Sequence, residues 1–141
     1  MQTFLPYPSF YASAKVLDMK RLGKQRVECK QIINALEDPA KGWQHHPATT
    51  MWRGYLPALA LYGKCMCREW LDRGYKDSLL PFFQERITKA PAYIPTWIGD
   101  EAFHRSHRSN LLRKMPEHYR QFWPDEPDDL PYVWPPRTYL S

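Results

Sequence analysis

No apolar run in the 141 residues approaches the ~20 needed to span a membrane, and the opening "MQTFLPYPSF" lacks both a basic head and an apolar segment followed by small residues. A cytosolic protein is therefore expected. Cysteine is scarce: Cys29, Cys65 and Cys67 are odd in number and lack C-x-x-C spacing, which argues against a disulfide framework or a closed zinc site and leaves buried free thiols. There is no internal repeat and no run that alternates as a strand must, so the expected fold class is all-α. At this length the chain, residues 1–141, suits one domain with a single core.

Charge and aromatic residues are plentiful but unevenly placed. The net charge is +5, with Lys15, Lys20, Arg21, Lys24, Arg26 and Lys30 crowding one segment and Asp125, Glu126, Asp128 and Asp129 crowding the C-terminal end. Segregated charge of this kind suits a surface that meets a polyanion. The six tryptophans exceed what one small core usually takes, so some of them are free to contact a ligand.

Along the chain, "FLPYPSFYASAKVL" predicts an extended N-terminal arm leading to a helix capped at Ser9 or Ser13. From Ala14 to Leu36 the positions Met19, Leu22, Cys29, Ile33 and Leu36 form one stripe at ~100° per residue, an amphipathic helix. "EDPAKGWQHHPATT" is a turn-rich connection, and a second helix is expected from Pro47 to Leu71, kinked at Pro57 and closed by Gly74. A shorter helix from Asp77 or Ser78 to Ile87, an irregular "TKAPAYIPTWIG", a helix from Asp100 to Lys114 and a last one from Pro116 to Trp123 complete four to five helices. The tail "PDEPDDLPYVWPPRTYLS" is too rich in proline for helix or central strand.

The first helix carries the densest chemistry. In "KRLGKQRVECKQI" five cations surround the single carboxylate of Glu28. With the apolar stripe as zero, Arg21, Gln25 and Glu28 fall within roughly 60° of one another about a quarter-turn away, with Lys24 a little further round. A face meant only for solvent would lie opposite the stripe, near Lys20 and Gly23, whereas this one is a half-buried shoulder. The plain alternative is a solvated face in which Lys24 and Glu28 form an i,i+4 pair of ~0.3–0.5 kcal/mol. Arg26 lies close to the stripe and needs a partner, either an internal carboxylate or a phosphate.

Elsewhere, His46 precedes the second helix and suits contact with a phosphate or an extruded base, or simply the backbone at the helix start. "MWRG" sets Trp52 beside Arg53, a core indole or a nucleotide clamp. "FHRSHRSNLLRK" reads as a basic helix whose His104, His107, Arg108, Arg113 and Lys114 suit phosphates. No third ligand accompanies the two histidines, so no metal is expected. The "YVWPP" segment, Tyr132 to Pro136, is a rigid strap that packs on the core or walls a pocket.

The order of these landmarks resembles the pyrimidine-dimer DNA glycosylases of endonuclease V type, small all-helical repair enzymes. A basic first helix with "QRV" is similar to that family's "PRV", "REWLDRGYKD" is similar to its segment ending in "RG" and "KD", and Arg113 followed by Trp123 matches its spacing of an Arg and a Trp. The resemblance implies a glycosylase, without cofactor, that binds double-stranded DNA, extrudes a nucleotide and attacks C1′ with the N-terminal α-amine, here that of Met1 or, after further trimming, of Thr3, to give a Schiff base that permits strand cleavage. An α-amine of pKa ~8 is about a tenth neutral at pH 7, far more than an unperturbed lysine.

Two departures from the family stand out: Gln2 replaces the Thr exposed by methionine removal, and Gly23 aligns with the catalytic Glu of helix one. Face geometry offers Glu28 as the replacement acid, with Arg21, Lys24 and Gln25 around it. Arg26, His46, Trp52, Arg53, His104, His107, Arg108, Arg113, Lys114 and Trp123 are expected on the DNA side. No protein partner or membrane is implied, and the location would be wherever DNA is, at the nucleoid or in a viral host's cytoplasm. The alternatives are a glycosylase for another damaged base and a non-catalytic DNA-binding protein on the same fold.

Overall fold

The computed structural model describes residues 1–88 and 92–135. Part of the "TKAPAYIPTWIG" connection and the end of the tail from Pro136 lie outside the described residues. Among those described there are seven helices and no strand: α1 (Phe10–Val16), α2 (Met19–Glu37), α3 (Pro47–Trp52), α4 (Leu56–Asp72), α5 (Leu80–Ile87), α6 (Glu101–Lys114) and α7 (Pro116–Tyr119).

The number exceeds the four to five expected because two long helices are interrupted. Leu17 and Asp18 are extended, which separates α1 from α2. Asp18 then caps α2 by accepting the Arg21 N–H, while its own N–H donates to the Tyr119 hydroxyl at 3.0 Å. Ser9, not Ser13, caps α1. The second expected helix breaks before Pro57, between Trp52 and Leu56, rather than kinking at it. Gly54 sits at φ +89°, a conformation that glycine alone takes cheaply, and Pro57 falls in the first turn of α4, where a missing N–H is no loss. Asp77 accepts the N–H groups of Leu79 and Leu80 and so launches α5, and Asp100 caps α6. The helix expected from Pro116 to Trp123 stops at Tyr119.

Buried Leu22, Cys29, Ile32 and Ile33 of α2 share a core with Leu59, Tyr62 and Met66 of α4 and with Phe83, Trp97, Phe103, Leu111 and Leu112. A Cβ at Gly63 would lie 2.5 Å from the Phe83 ring, so α4 and α5 approach this closely only with glycine there. Cys29 and Cys67 are buried free thiols and Cys65 is half-buried. The N-terminal arm is part of the core: Thr3 and Leu5 are completely buried, and Gln2 and Phe4 nearly so. It runs as a strap between α2, α4 and α6, which brings the first residue of the chain beside the charged shoulder of α2.

Candidate active site

A buried arm must satisfy its peptide groups, and side chains do this where no strand is available. Gln25 is 1% exposed and serves four partners. Its Oε1 accepts the Phe4 N–H at 2.8 Å and lies 2.6 Å from the Tyr62 hydroxyl, while its Nε2 donates to the Gln2 carbonyl at 2.9 Å and to Glu28 Oε2 at 3.1 Å. Burial pushes the Tyr62 hydroxyl well above its usual range, so it keeps its proton and remains a donor. Further along, the Leu5 N–H donates to His107 Nδ1 at 2.9 Å, and the Leu5 carbonyl accepts from His104 Nδ1 at 2.8 Å. Since His104 Nε2 accepts the Gly99 N–H at 2.9 Å, that ring is the neutral Nδ1–H tautomer. His107 is neutral too, with burial holding its pKa down to about 3.

The fixed arm and the shoulder of α2 enclose a cavity of about 430 Å³, within the roughly 300–1,000 Å³ of small-ligand sites. Met1, Gln2 and Phe4 form one side; Lys20, Arg21, Lys24, Gln25 and Glu28 form another; Lys114, Tyr132 and Trp134 complete it. Glu28 Oε2 accepts the Gln2 N–H at 3.2 Å, and Lys24 Nζ stands 3.7 Å from Oε1. One carboxylate therefore sits one peptide away from the chain's first residue, surrounded by donors.

Cations outnumber acids around this cavity. Arg21 is paired with Asp18 at 3.1 Å, whereas burial, Arg21, Arg113 and Lys24 all depress the Lys114 pKa. Such mutual repulsion is relieved when an anion enters. At the rim, His46 Nδ1 accepts the Ala48 N–H at 3.0 Å and caps α3. Its pKa is lowered, chiefly by burial and then by the N-terminal amine, with Glu28 acting in the opposite sense.

The residues expected to meet DNA divide sharply. Lys114 borders the cavity, and Arg53 and Arg113 are exposed on the surface. Arg26 instead has the internal carboxylate: its guanidinium grips Asp77 at 2.5 Å and 2.8 Å. Arg108 is committed to Glu101, to Glu126 and to the Pro6 carbonyl. Trp52 is completely buried with its Nε1–H on Thr3, and Trp123 is buried, stacked on Tyr119 with centroids 5.5 Å apart. His104 and His107 have at most 1% exposure and hold Leu5, so neither faces a phosphate.

The polar face of α6 was misread for a physical reason. Its hydroxyls, amide and imidazoles suit phosphates, but they suit buried backbone equally well. Ser109 accepts the Leu130 N–H, Ser106 accepts the Val133 N–H, and Asn110 donates to the Leu130 carbonyl. These bonds hold the tail so that Tyr132 and Trp134 wall the cavity. Lys20, expected to face solvent, lines the cavity, and Gly23 packs against Trp70. Gln2, Phe4 and Lys20 were missed. Lys20 carried a readable signal, since Lys20, Lys24 and Glu28 repeat at i,i+4. Trp43, one of the six tryptophans, is exposed and at φ +69°; it lies edge-on to His46, which in turn contacts Trp134.

A family profile described as pyrimidine dimer DNA glycosylase matches residues 1–80, which carry the arm, α1 to α4 and all of the α2 shoulder. No curated protein and no solved structure matches the chain significantly.

Proposed function

Since this chain belongs to the pyrimidine dimer DNA glycosylase family, a family of DNA repair enzymes, we propose that it excises damaged pyrimidines such as cyclobutane dimers from duplex DNA by attack of the Met1 α-amine on C1′. The single observation that carries this reading is the bond from the Gln2 N–H to Glu28 Oε2 at 3.2 Å, with Met1 bordering the same cavity. In support of it, a carboxylate able to act as acid and base meets the peptide adjoining the α-amine, an amine whose ordinary pKa is close to neutrality.

In the proposed reaction the neutral amine forms a bond to C1′ as the bond from C1′ to the base nitrogen breaks, the electron pair leaving with the base. Glu28 takes the proton that the amine sheds and steadies the cationic sugar. Breaking of the C1′–O4′ bond, with O4′ taking a proton from solvent, then opens the sugar and turns the C1′ adduct into a Schiff base, which permits β-elimination of the 3′ phosphate as C2′ gives up a proton, the abasic lyase step. Arg21, Lys24, Lys20 and Lys114 hold the flanking phosphates, and Phe4, Tyr132 and Trp134 offer faces to the extruded nucleotide in place of the stacking it loses.

Borohydride trapping tests the reading. Duplexes carrying a cyclobutane dimer or an abasic site are incubated with the protein and reductant, and the adduct is located by mass. A covalent adduct on both that maps to the Met1 amine is the expected result. An adduct on the abasic duplex alone keeps the amine and changes the base; no adduct with DNA binding intact removes the amine mechanism and leaves a binding protein or a monofunctional enzyme.

A further inference from the structure

Gln2 is anchored at every point but one. Its N–H donates to Glu28, its carbonyl accepts from Gln25, and its side-chain Oε1 accepts the Thr3 N–H at 2.9 Å. That last bond fixes which end of the amide is oxygen. The other end, Nε2, is buried and has no hydrogen-bond partner among the described residues, although Gln2 is 8% exposed and lines the cavity. A buried donor left unpaired is a standing penalty, and native structures rarely keep one without use.

We infer that Gln2 Nε2 is the donor that receives the departing pyrimidine, through its O2 carbonyl oxygen. This deepens the proposed amine mechanism and rests on it. When the bond from C1′ to N1 breaks, its electron pair enters the pyrimidine ring and is shared onto O2, the carbonyl nearest C1′. A donor held beside O2 meets charge that grows only as the bond breaks, so it lowers the barrier rather than merely tightening binding. Gln2 is the residue next to the attacking amine, so a nucleotide whose C1′ is placed for attack by Met1 has its pyrimidine O2 within a residue's reach. The donor is closed to water in the free protein, so meeting O2 requires the start of the arm to shift as the amine is drawn to C1′. The pair leaves as the pyrimidine anion and is neutralised by the proton that Glu28 has taken from the amine.

The test separates base release from amine chemistry. Gln2→Met removes the donor, and Gln2→Glu removes it while keeping an oxygen for the Thr3 N–H; both side chains are long enough to leave Met1 in place, which mass spectrometry checks. Single-turnover cleavage of the glycosidic bond in a cyclobutane-dimer duplex, after which the base stays joined to its neighbour through the cyclobutane ring, is expected to slow by about tenfold or more in both variants. Trapping of Gln2→Glu on an abasic duplex, which has no base to expel, is expected to stay within about twofold of wild type. Equal loss on both substrates in Gln2→Glu would reduce Gln2 to a prop for the arm, and unchanged release in both variants would also overturn the inference. A wild-type adduct on the abasic duplex alone removes the pyrimidine leaving group and with it the inference. No wild-type adduct on either duplex fails the amine mechanism itself, a separate and visible result.

Discussion

A Cβ placed on Gly23 would lie 2.9 Å from two ring atoms of Trp70. The indole has little room to yield, because its Nε1–H donates to the Lys76 carbonyl, Tyr75 stacks on it at 4.3 Å, and the Arg26 guanidinium lies 4.9 Å from the ring centroid. The helix position where the resemblance expects the family's acid is thus closed by packing and does not line the cavity. Glycine there is a requirement of the α2–α4 contact. Gly23→Glu is expected to lower stability by about 1–3 kcal/mol in urea melts, overpacking outweighing the helix propensity gained. In a Glu28→Gln background it is expected to restore no turnover; restored turnover would mean that the acid belongs at 23.

Glu28→Gln leaves an oxygen for the Gln2 N–H but no proton acceptor. Base release is expected to fall by about 10²-fold or more while duplex affinity changes little. Binding and single-turnover rates measured on one preparation decide it. Loss of both together would mark Glu28 as a prop for the arm.

Gln25→Ala strands the buried Phe4 N–H and Gln2 carbonyl at once. A loss of about 3 kcal/mol of unfolding free energy in urea melts is expected, at an orphan cost of roughly 1–3 kcal/mol per group. Activity should fall with it, since the arm that carries Met1 comes loose. A variant with normal stability would show that the arm is held without Gln25.

The cations separate by their partners. Lys114→Met is expected to reduce the slope of log affinity against log salt by about 0.7–0.9, the signature of one phosphate contact. Arg26→Met should leave the slope unchanged and instead destabilise the fold by about 3 kcal/mol, because Asp77 is then buried without its cation. A change of slope in Arg26→Met would return that arginine to the DNA surface.

This division explains what was legible beforehand. Arg21, Gln25 and Glu28 fell together because helical periodicity alone sets which residues share a shoulder, and α2 is regular across all three. The breaks at Leu17–Asp18 and Gly54 were illegible because each depends on a distant partner or a backbone angle, such as the Tyr119 hydroxyl on Asp18. His104 and His107 were misplaced for the same reason: their partner, Leu5, is about a hundred residues away, and an imidazole facing a peptide looks in sequence like an imidazole facing a phosphate.

That peptide clamp makes stability depend on pH with a definite sign. His107 Nδ1 accepts the Leu5 N–H, so a proton on that nitrogen breaks the bond and buries a charge. Burial, and secondarily His104, hold its folded pKa at about 3, whereas the unfolded chain protonates near the ordinary 6.5. Between those values the unfolded state binds more protons, so stability is fully present above about pH 6.5 and is lost progressively as pH falls towards 3. His104, lowered by burial, adds to the same slope. Urea midpoints measured from pH 7.5 to 5 should therefore fall steadily. His107→Asn, whose Oδ1 can still accept from Leu5 but cannot be protonated in this range, should flatten part of that fall. An equally steep fall in His107→Asn would place the titrating group elsewhere and leave the arm's clamp indifferent to acid.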